Sequence, residues 1–424
     1  MNRSRFTPPR AAIPRPAKFA LATLALTTLT LAASGCDRQS TTPTVTGLAL
    51  QADRKSPAPA GEGCGDLPTA PESERVDLYA PVFSNPTAVT NPLFPIATLE
   101  RVLLLGTEEG APLRVETTLL ARTETFHLNG QRFEALASQY VAWVDRRIHE
   151  VAIDWYVQDD QGAAWYLGED VFNYEDGRLA DREGTWRAGR DGPAAMIMPA
   201  LPRVGDVWRP ENICGLVFEE VIATTTDVVV TGPRGSVSGA LIVRELHMDG
   251  SLEDKTFAPG YGEFSTGSGS NLEAVALAIP TDAIPGPVPD ALETVSEGAK
   301  EIFEAVGAGE WDEASKTLAE LVGGWNAHRS GGVPPMLETQ MNQAVGALDA
   351  AVSGRNSAGS RQASVDVALA ALDLELQYRP RAEIDEELLE AWARQLEIDR
   401  EARDEGAIRS DRLTIRMIRD RLAR

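Results

Sequence analysis

The titratable residues of this sequence offer little of the spacing that catalysis or metal binding requires. None of its four histidines lies three or four residues from another, so a helical pair of histidine ligands is absent. Neighbouring carboxylates occur at Glu169-Asp170 and Glu219-Glu220, and such residues serve as glycosidase acids or calcium ligands in other proteins. Consecutive strand residues point to opposite faces, so we expect each pair to be two solvated charges. The sequence therefore predicts no catalytic residue, no metal and no cofactor, and favours a non-catalytic role over an enzyme.

Cys36 carries the most specific chemical signal in the chain. It ends the segment Leu31-Ala32-Ala33-Ser34-Gly35-Cys36, which follows an apolar run and a leader whose only charges are basic. This arrangement resembles a bacterial lipobox, which implies that residues 1–35 are a lipoprotein signal peptide and that Cys36 is acylated. We therefore expect a lipid-anchored protein of the bacterial cell envelope, on the periplasmic or cell-surface side. Asp37 resembles an inner-membrane retention signal of enteric bacteria, and both the inner and the outer membrane remain open.

Lipidation of Cys36 leaves two further cysteines, Cys64 and Cys214. In an exported protein such a pair predicts a disulfide, because the compartment is oxidising. The formal net charge of −23 argues against nucleic acid as a partner, since phosphates are bound by Lys and Arg. The expected partners are the membrane, through Cys36, and an apolar ligand or another protein.

The composition changes along the chain in a way that predicts separate regions. Residues 36–63 are rich in small and polar residues, so we expect a flexible tether with a root-mean-square reach of roughly 30 Å. Residues 64–95 carry many prolines and form an extended wrap. Residues 96–283 contain short apolar or alternating runs separated by Asn129-Gly130, Asp176-Gly177 and Asp249-Gly250, which predicts antiparallel hairpins.

A Pro/Gly linker at 284–289 then leads to a helical pattern over 290–424, where short loops predict an up-and-down bundle. The fold class that follows is α+β. It consists of a curved antiparallel sheet, either a half-barrel or a small barrel, followed by an all-α bundle.

Aromatic residues flank the turn at Asp160-Gln161-Gly162. A symmetric hairpin places Trp155 opposite Tyr166 and Tyr156 opposite Trp165, so that aromatic side chains lie on both faces and the sheet must curve to cover them. Packing is the favoured role of these aromatics, and a pocket for an apolar or planar ligand is the alternative. The candidate pocket residues are Trp155, Tyr156, Trp165, Tyr166, Trp186 and Trp208.

Six motifs between residues 92 and 265 resemble, in order and spacing, a family of uncharacterised bacterial exported proteins. The resemblance implies a β-rich fold and an exported setting, and it supplies no activity. The helical tail resembles those of other uncharacterised bacterial proteins through Leu372–Pro380 and Trp392–Leu396. The six motifs are Asp154–Asp159, Trp165–Asp170, Gly184–Gly189, Met196–Pro199, Val204–Trp208 and Phe257–Gly262.

A basic strip, formed by Arg409, Arg412, Arg416 and Arg419, lies on one side of the last predicted helix. Pairing with the acidic helix before it is the favoured explanation, and a contact surface for lipid headgroups or an acidic partner is the alternative. Taken together, the sequence predicts a non-catalytic binding or scaffolding lipoprotein. A carrier of an apolar or lipid-like ligand in a concave β pocket is the alternative, and a hydrolase that uses carboxylates is third.

Overall fold

A computed structural model describes residues 64–422 and confirms an α+β architecture with the sheet first and the helices last. Two short 3₁₀ helices, Cys64–Asp66 and Glu72–Glu74, precede the sheet. The strands are β1 Arg101–Glu108, β2 Ala111–Leu128, β3 Gln131–Val144, β4 Arg147–Gln158, β5 Ala164–Glu175, β6 Arg178–Asp181, β7 Trp186–Arg187, β8 Ala195–Met198, β9 Val207–Ile213, β10 Val217–Gly232, β11 Gly235–His247, β12 Leu252–Ala258, β13 Gly262–Ser268 and β14 Asn271–Ile279.

Six helices of 18 to 22 residues follow the sheet in the described part of the chain. None of the described helices is long and apolar enough to cross a membrane. The helices are α1 Asp290–Ala308, α2 Trp311–Arg329, α3 Pro335–Ser353, α4 Ser357–Glu375, α5 Arg381–Ala402 and α6 Glu405–Leu422.

The 14 strands form one antiparallel sheet in which nearly every strand pairs with its neighbour in sequence. The order is β6-β5-β4-β3-β2-β1-β14-β13-β12-β11-β10-β9, and β7 and β8 also pair with β5. No backbone ladder joins β9 to the β5 end among the described residues. The sheet curls enough for two indole hydrogen bonds to cross that gap. Trp186 Nε1 donates to Glu211 Oε1 at 3.1 Å, and Trp208 Nε1 donates to the carbonyl of Ile197 at 3.1 Å.

Glycine and short polar residues close the hairpins. Asn129 and Gly130 both have positive φ, 52° and 77°, as do Asp176 and Gly177, which fits the two-residue turns expected there. At the third site Gly250 has a φ of 85° while Asp249 is not in that region, and the β11–β12 loop is longer. The three dipeptides therefore mark reversals of the chain, although only two form the predicted turn type.

The helices and one face of the sheet share a single core. Trp143 of β3 stacks on Trp392 of α5 with ring centroids 6.3 Å apart, and its Nε1 donates to Thr414 Oγ1 of α6 at 3.0 Å. Leu103 and Val141 from the sheet belong to the same buried cluster as residues of all six helices. Burial of this shared surface holds the helices against one face of the sheet, which we call the exterior face.

The predicted disulfide is present between Cys64 and Cys214, with a Cα–Cα distance of 5.2 Å. It joins the segment before the sheet to the β9–β10 turn. Farther along that segment, Asn91 Nδ2 donates to the carbonyls of Gly162 and Pro199, at 3.0 and 2.9 Å. This segment is therefore fixed to the sheet at several points.

Candidate functional site

The face of the sheet opposite the helices carries an unusual number of carboxylates. In the antiparallel ladder, Glu219 lies opposite both Glu211 and His247, and Glu245 lies opposite Glu253. Residues opposite one another share a face, so these side chains all point to the inside of the curled sheet. The acidic interior, as we call it, comprises Glu150, Asp154, Glu169, Glu211, Glu219, Glu245, Glu253, Glu263 and Glu273.

The β4–β5 side supplies the opposite wall of this interior. Asp154 lies opposite Glu169, and Tyr166 Oη donates to Asp154 Oδ1 at 2.8 Å. Trp186 lies opposite Glu169 and reaches Glu211 across the gap between the sheet ends. The hydrogen bond from Trp186 shows that carboxylates distant in sequence converge because the sheet curls.

Lys255 and His247 are the basic residues of this acidic interior. Lys255 Nζ lies 2.7 Å from Glu245 Oε2, and His247 Nδ1 lies 3.5 Å from Glu219 Oε1. Although burial opposes ionisation, Lys255 and His247 lower the pKa of Glu219 to about 2. Burial also disfavours a charged imidazole, yet Glu219 and Glu253 raise the pKa of His247 to about 10. Glu219 is thereby kept ionised, whereas burial and Glu219 raise the pKa of Glu245 to about 8 although Lys255 and His247 oppose the shift.

Burial also raises the pKa of other carboxylates of the interior. Burial, followed by the nearby acids Asp154 and Glu108, raises the pKa of Glu150 to about 8. Burial and Glu263 likewise raise the pKa of Glu273 to about 8, although Lys255 opposes the shift. Burial raises the pKa of Asp154 to about 7 even though Tyr166 stabilises its anion. These groups therefore exchange protons near neutrality, and an incoming cation would favour their ionised forms.

Glu169 and Glu211 form a tightly coupled pair within the same wall. The pKa of each is raised well above its ordinary value, by burial first and then by the negative charge of neighbouring glutamates. A hydrogen bond between their carboxyl groups needs one of them protonated, which fits the raised pKa values of both.

Glu219, Glu245 and His247 have the composition of a divalent metal site. One potential ligand atom from each lies within 4.8 Å of the others, and all three residues are buried. An imidazole with two carboxylates suits a transition metal. Lys255, however, already supplies a positive charge to Glu245, so a metal ion would have to compete with it. A search for two histidines on a helix could not find this group, because its members come from the adjacent strands β10 and β11.

Adjacent carboxylates point to opposite faces of the sheet, as predicted. The prediction that both members of each pair are solvated is wrong. Glu219 and Glu220 do point to opposite faces, but both are buried. Glu220 Oε1 accepts a hydrogen bond from the amide of Ala70, and its other oxygen accepts from Arg209 Nε at 2.9 Å. Glu169 is buried in the interior. Asp170 pairs with Arg182 on the exterior face.

The six candidate pocket aromatics are divided between the two faces of the sheet. Tyr156, Tyr166, Trp186 and Trp208 lie on the interior face, and the two tyrosines stack with centroids 5.0 Å apart. Trp155 and Trp165 lie on the exterior face, where Tyr79 covers Trp165 edge-on at 5.6 Å.

The expected hairpin register is also wrong by one residue. Tyr156 pairs with Tyr166, and Trp165 lies opposite Val157. Aromatic side chains nevertheless occupy both faces of this hairpin, as the sequence predicts.

Apolar side chains fill the other end of the interior. Trp208 is fully buried there, among Leu241, Val243 and Phe257. Phe94, from the segment before the sheet, packs against Tyr156 with centroids 5.0 Å apart. The interior is therefore divided into a packed apolar end and an acidic end, where Glu150, Glu211, Glu263 and Glu273 remain partly exposed.

The basic strip on α6 does not pair with the acidic face of α5. Arg409 Nε donates to the carbonyl of Asp176 at 2.9 Å, while Arg412, Arg416 and Arg419 are exposed and form no ion pair with α5 within the described residues. The glutamates of α5 pair elsewhere. Arg361 of α4, for example, binds both Glu397 and Glu401.

Cys36 and the predicted signal peptide lie outside the described residues, so lipidation stays a prediction. Comparison of the chain with protein-family models, with curated proteins and with solved structures gave no match in any of the three.

Proposed function

We propose that this protein is a non-catalytic binding module that captures a cationic ligand in its acidic interior. The convergence of nine carboxylates on one partly accessible face, with only Lys255 and His247 as basic counterparts among the described residues, carries the proposal. Ionisation of each uncompensated carboxylate is opposed by the negative charge of the others. A positively charged ligand relieves this repulsion, and the relief contributes favourably to the free energy of binding.

The division of the interior favours a cation over the apolar ligand that the sequence also allowed. Side chains such as Phe94, Trp208 and Phe257 already occupy the apolar end. The accessible end is lined by carboxylates, together with the partly exposed Tyr140 and Tyr156. Carboxylates and tyrosine rings are the groups that attract organic cations. The one feature that would suit a hydrolase is the coupled Glu169–Glu211 pair, in which Glu211 accepts a hydrogen bond from the indole of Trp186.

We further propose that the module is exported and held at a bilayer through acylated Cys36. The lipobox resemblance, the motifs that resemble those of an exported family and the Cys64–Cys214 disulfide support this setting. Mass spectrometry of the protein from bacterial membranes should find an acylated Cys36 at the mature N-terminus. The Cys36→Ser variant should lose the acyl group and leave the membrane fraction. An unmodified Cys36 in a membrane-bound protein would contradict the anchor.

Calorimetric titration of the purified full chain with spermidine tests cation binding. The affinity should rise between pH 6 and pH 8, because Glu150 and Glu273 ionise in that range, and binding should release protons. The release is measured by repeating the titration in buffers of different ionisation enthalpy.

Matched variants connect the binding to the interior. The double variant Glu150→Gln/Glu273→Gln should weaken spermidine binding at least tenfold, whereas Glu301→Gln, on the exposed side of α1, should leave it unchanged. A parallel titration with Ca²⁺ separates an organic cation from a metal. Equal affinity of the double variant and the unchanged protein for spermidine would refute the proposed site.

A further inference from the structure

His247, the last residue of β11, has one ring nitrogen without a partner. The residue is only 6% exposed, and its Nε2 is buried with no hydrogen-bond partner in the described part of the chain. Nε2 lies 3.8 Å from Glu245 Oε2 and 3.8 Å from Glu253 Oε2. Both separations are too long for a hydrogen bond, so this nitrogen faces two carboxylates without binding either of them. A buried polar atom in this position points to a ligand held between the three side chains.

The other ring nitrogen of His247 faces a third carboxylate. Nδ1 lies 3.5 Å from Glu219 Oε1, and Glu219 is opposite His247 in the β10–β11 ladder. A histidine that binds a metal ion usually presents its second ring N–H to a carboxylate, which fixes the tautomer and the orientation of the ring. Glu219 is placed to do this for His247.

Strand pairing brings the potential ligands together. Glu245 lies opposite Glu253 in the β11–β12 ladder, and His247 follows Glu245 by two residues, so the three side chains share one face. Ligand atoms of a tetrahedral zinc site are about 3.4 Å apart, so each 3.8 Å gap needs to close by only about 0.4 Å to hold an ion. One imidazole nitrogen and two carboxylate oxygens form a ligand set that zinc accepts.

The charges around this group match those of a divalent ion. With Glu219, the two ligand carboxylates carry three negative charges when ionised, and Lys255 neutralises one of them. The two that remain equal the charge of one divalent cation, to which a neutral imidazole adds none. Lys255 Nζ lies 2.7 Å from Glu245 Oε2, but a carboxylate oxygen has two lone pairs. Lys255 therefore opposes an ion by repulsion and leaves a coordination position on Glu245 open.

Glu253 gives an ion a route from solvent to this group. It follows the β11–β12 turn, and 15% of its side chain is exposed, compared with 7% of the His247 side chain. An ion from solvent therefore meets the Glu253 carboxylate first, with the buried nitrogen of His247 behind it.

We infer that the acidic interior contains a site for a divalent transition metal such as Zn²⁺, with His247 Nε2, Glu245 and Glu253 as its ligands. Glu219 is a positioning residue that acts through Nδ1 of His247. The inference deepens the proposed function and rests on its premise that cations enter the interior. It is tested separately, because its ligands differ from the two glutamates that are changed in the spermidine experiment.

Calorimetric titration with Zn²⁺ tests the site in the full chain carrying Cys36→Ser, which removes the thiol outside the Cys64–Cys214 disulfide. One Zn²⁺ should bind saturably, and Ca²⁺, which prefers oxygen ligands, should bind at least tenfold more weakly. His247→Gln and Glu253→Gln should each reduce Zn²⁺ affinity at least tenfold. His127→Gln, at an exposed position beside the β2–β3 turn, is the matched control and should bind normally.

The visible absorption of bound Co²⁺ distinguishes a ligand from a positioning residue. His247→Gln should change the Co²⁺ bands, because a nitrogen ligand is lost. Glu219→Gln should weaken Co²⁺ binding about tenfold and leave the bands in place. Circular dichroism and thermal unfolding establish that each variant is folded, and the partly exposed Glu253 decides the test if the His247 variant is not.

Three results would overturn the metal site. They are the absence of saturable Zn²⁺ binding, Zn²⁺ affinity unchanged in the Glu253 variant, and Ca²⁺ binding as tight as that of Zn²⁺. The double variant Glu150→Gln/Glu273→Gln should still bind Zn²⁺. Spermidine binding without Zn²⁺ binding would refute this site and leave the proposed function standing, whereas Zn²⁺ binding without spermidine binding would do the reverse.

Discussion

Asp385 of α5 accepts a hydrogen bond at 2.7 Å from Arg101 Nη2 of β1, across the boundary between sheet and helices. The two side chains are each only 2% exposed. Asp385 also accepts from Arg421 Nε of α6 at 2.9 Å, and Arg421 Nη1 reaches Glu116 of β2 at 3.1 Å. A buried network of charges thus joins two strands to two helices.

Asp385→Asn should destabilise the protein by about 3–5 kcal/mol, because it leaves Arg101 and Arg421 buried without their shared counter-ion. Urea unfolding monitored by tryptophan fluorescence measures the change. Glu386→Gln, at the exposed neighbouring position, should change stability by less than about 0.5 kcal/mol. Equal stability of the two variants would show that the network does not hold the sheet and helices together.

Lys255→Met should also cost about 3–5 kcal/mol at pH 7.5, because Glu219 and Glu245 both lose the buried positive charge beside them. The double variant Lys255→Met/Glu245→Gln should recover part of that stability, since it removes one of the two carboxyl groups that Lys255 stabilises. Unfolding of the two single variants and the double variant completes the cycle. Additive losses would mean that the two residues act independently.

The stability of the protein should fall as the pH rises from about 4.5 to about 8. Glu150 and Glu273 have a pKa of 4.5 when unfolded and about 8 when folded, so the folded chain binds more protons in this window. His247 acts in the same direction at higher pH. Its stabilising charge is fully present below 6.5 and is lost as the pH rises through 10.

Urea unfolding at a series of pH values measures this slope. Glu150→Gln/Glu273→Gln should flatten it and raise stability at pH 8, whereas Glu301→Gln should not. A slope of opposite sign in the unchanged protein would contradict the repulsion among interior carboxylates.

Loss of the disulfide through Cys64→Ser/Cys214→Ser should cost about 2–5 kcal/mol, because the bond closes a long loop of the unfolded chain, with 150 residues of sequence separation. Amide hydrogen exchange should increase most between residue 64 and β1. Reductant should lower the unfolding midpoint of the unchanged protein and leave that of the double variant unaltered. A midpoint insensitive to reductant in both would refute a structural role for the bond.

The β4–β5 hairpin shows how far local sequence determines structure. The turn residues and the aromatic runs predict the hairpin and its two aromatic faces, and both are present. The register differs because Asp159 Oδ1 accepts from the amides of Gln161 and Ala163, so the loop includes Asp159. A bulge at Gly168 then restores alternation, and a Cβ there would lie 2.2 Å from the carbonyl oxygen of Trp186.

Asp385 illustrates the same limit for a helix. It lies inside α5, which begins at Arg381, and forms a buried ion pair with Arg101, 284 residues away. Sequence periodicity carries no information about a partner at that distance.

The sequence by itself determined the element types, the order of sheet and helices and the cysteine pair, because strand alternation, turn residues and helical periodicity are local properties. Only the tertiary structure decided that scattered glutamates face one another and that Lys255 and His247 lie among them. Those relations depend on strand register and on the curl of the whole sheet, which no single segment of the chain specifies.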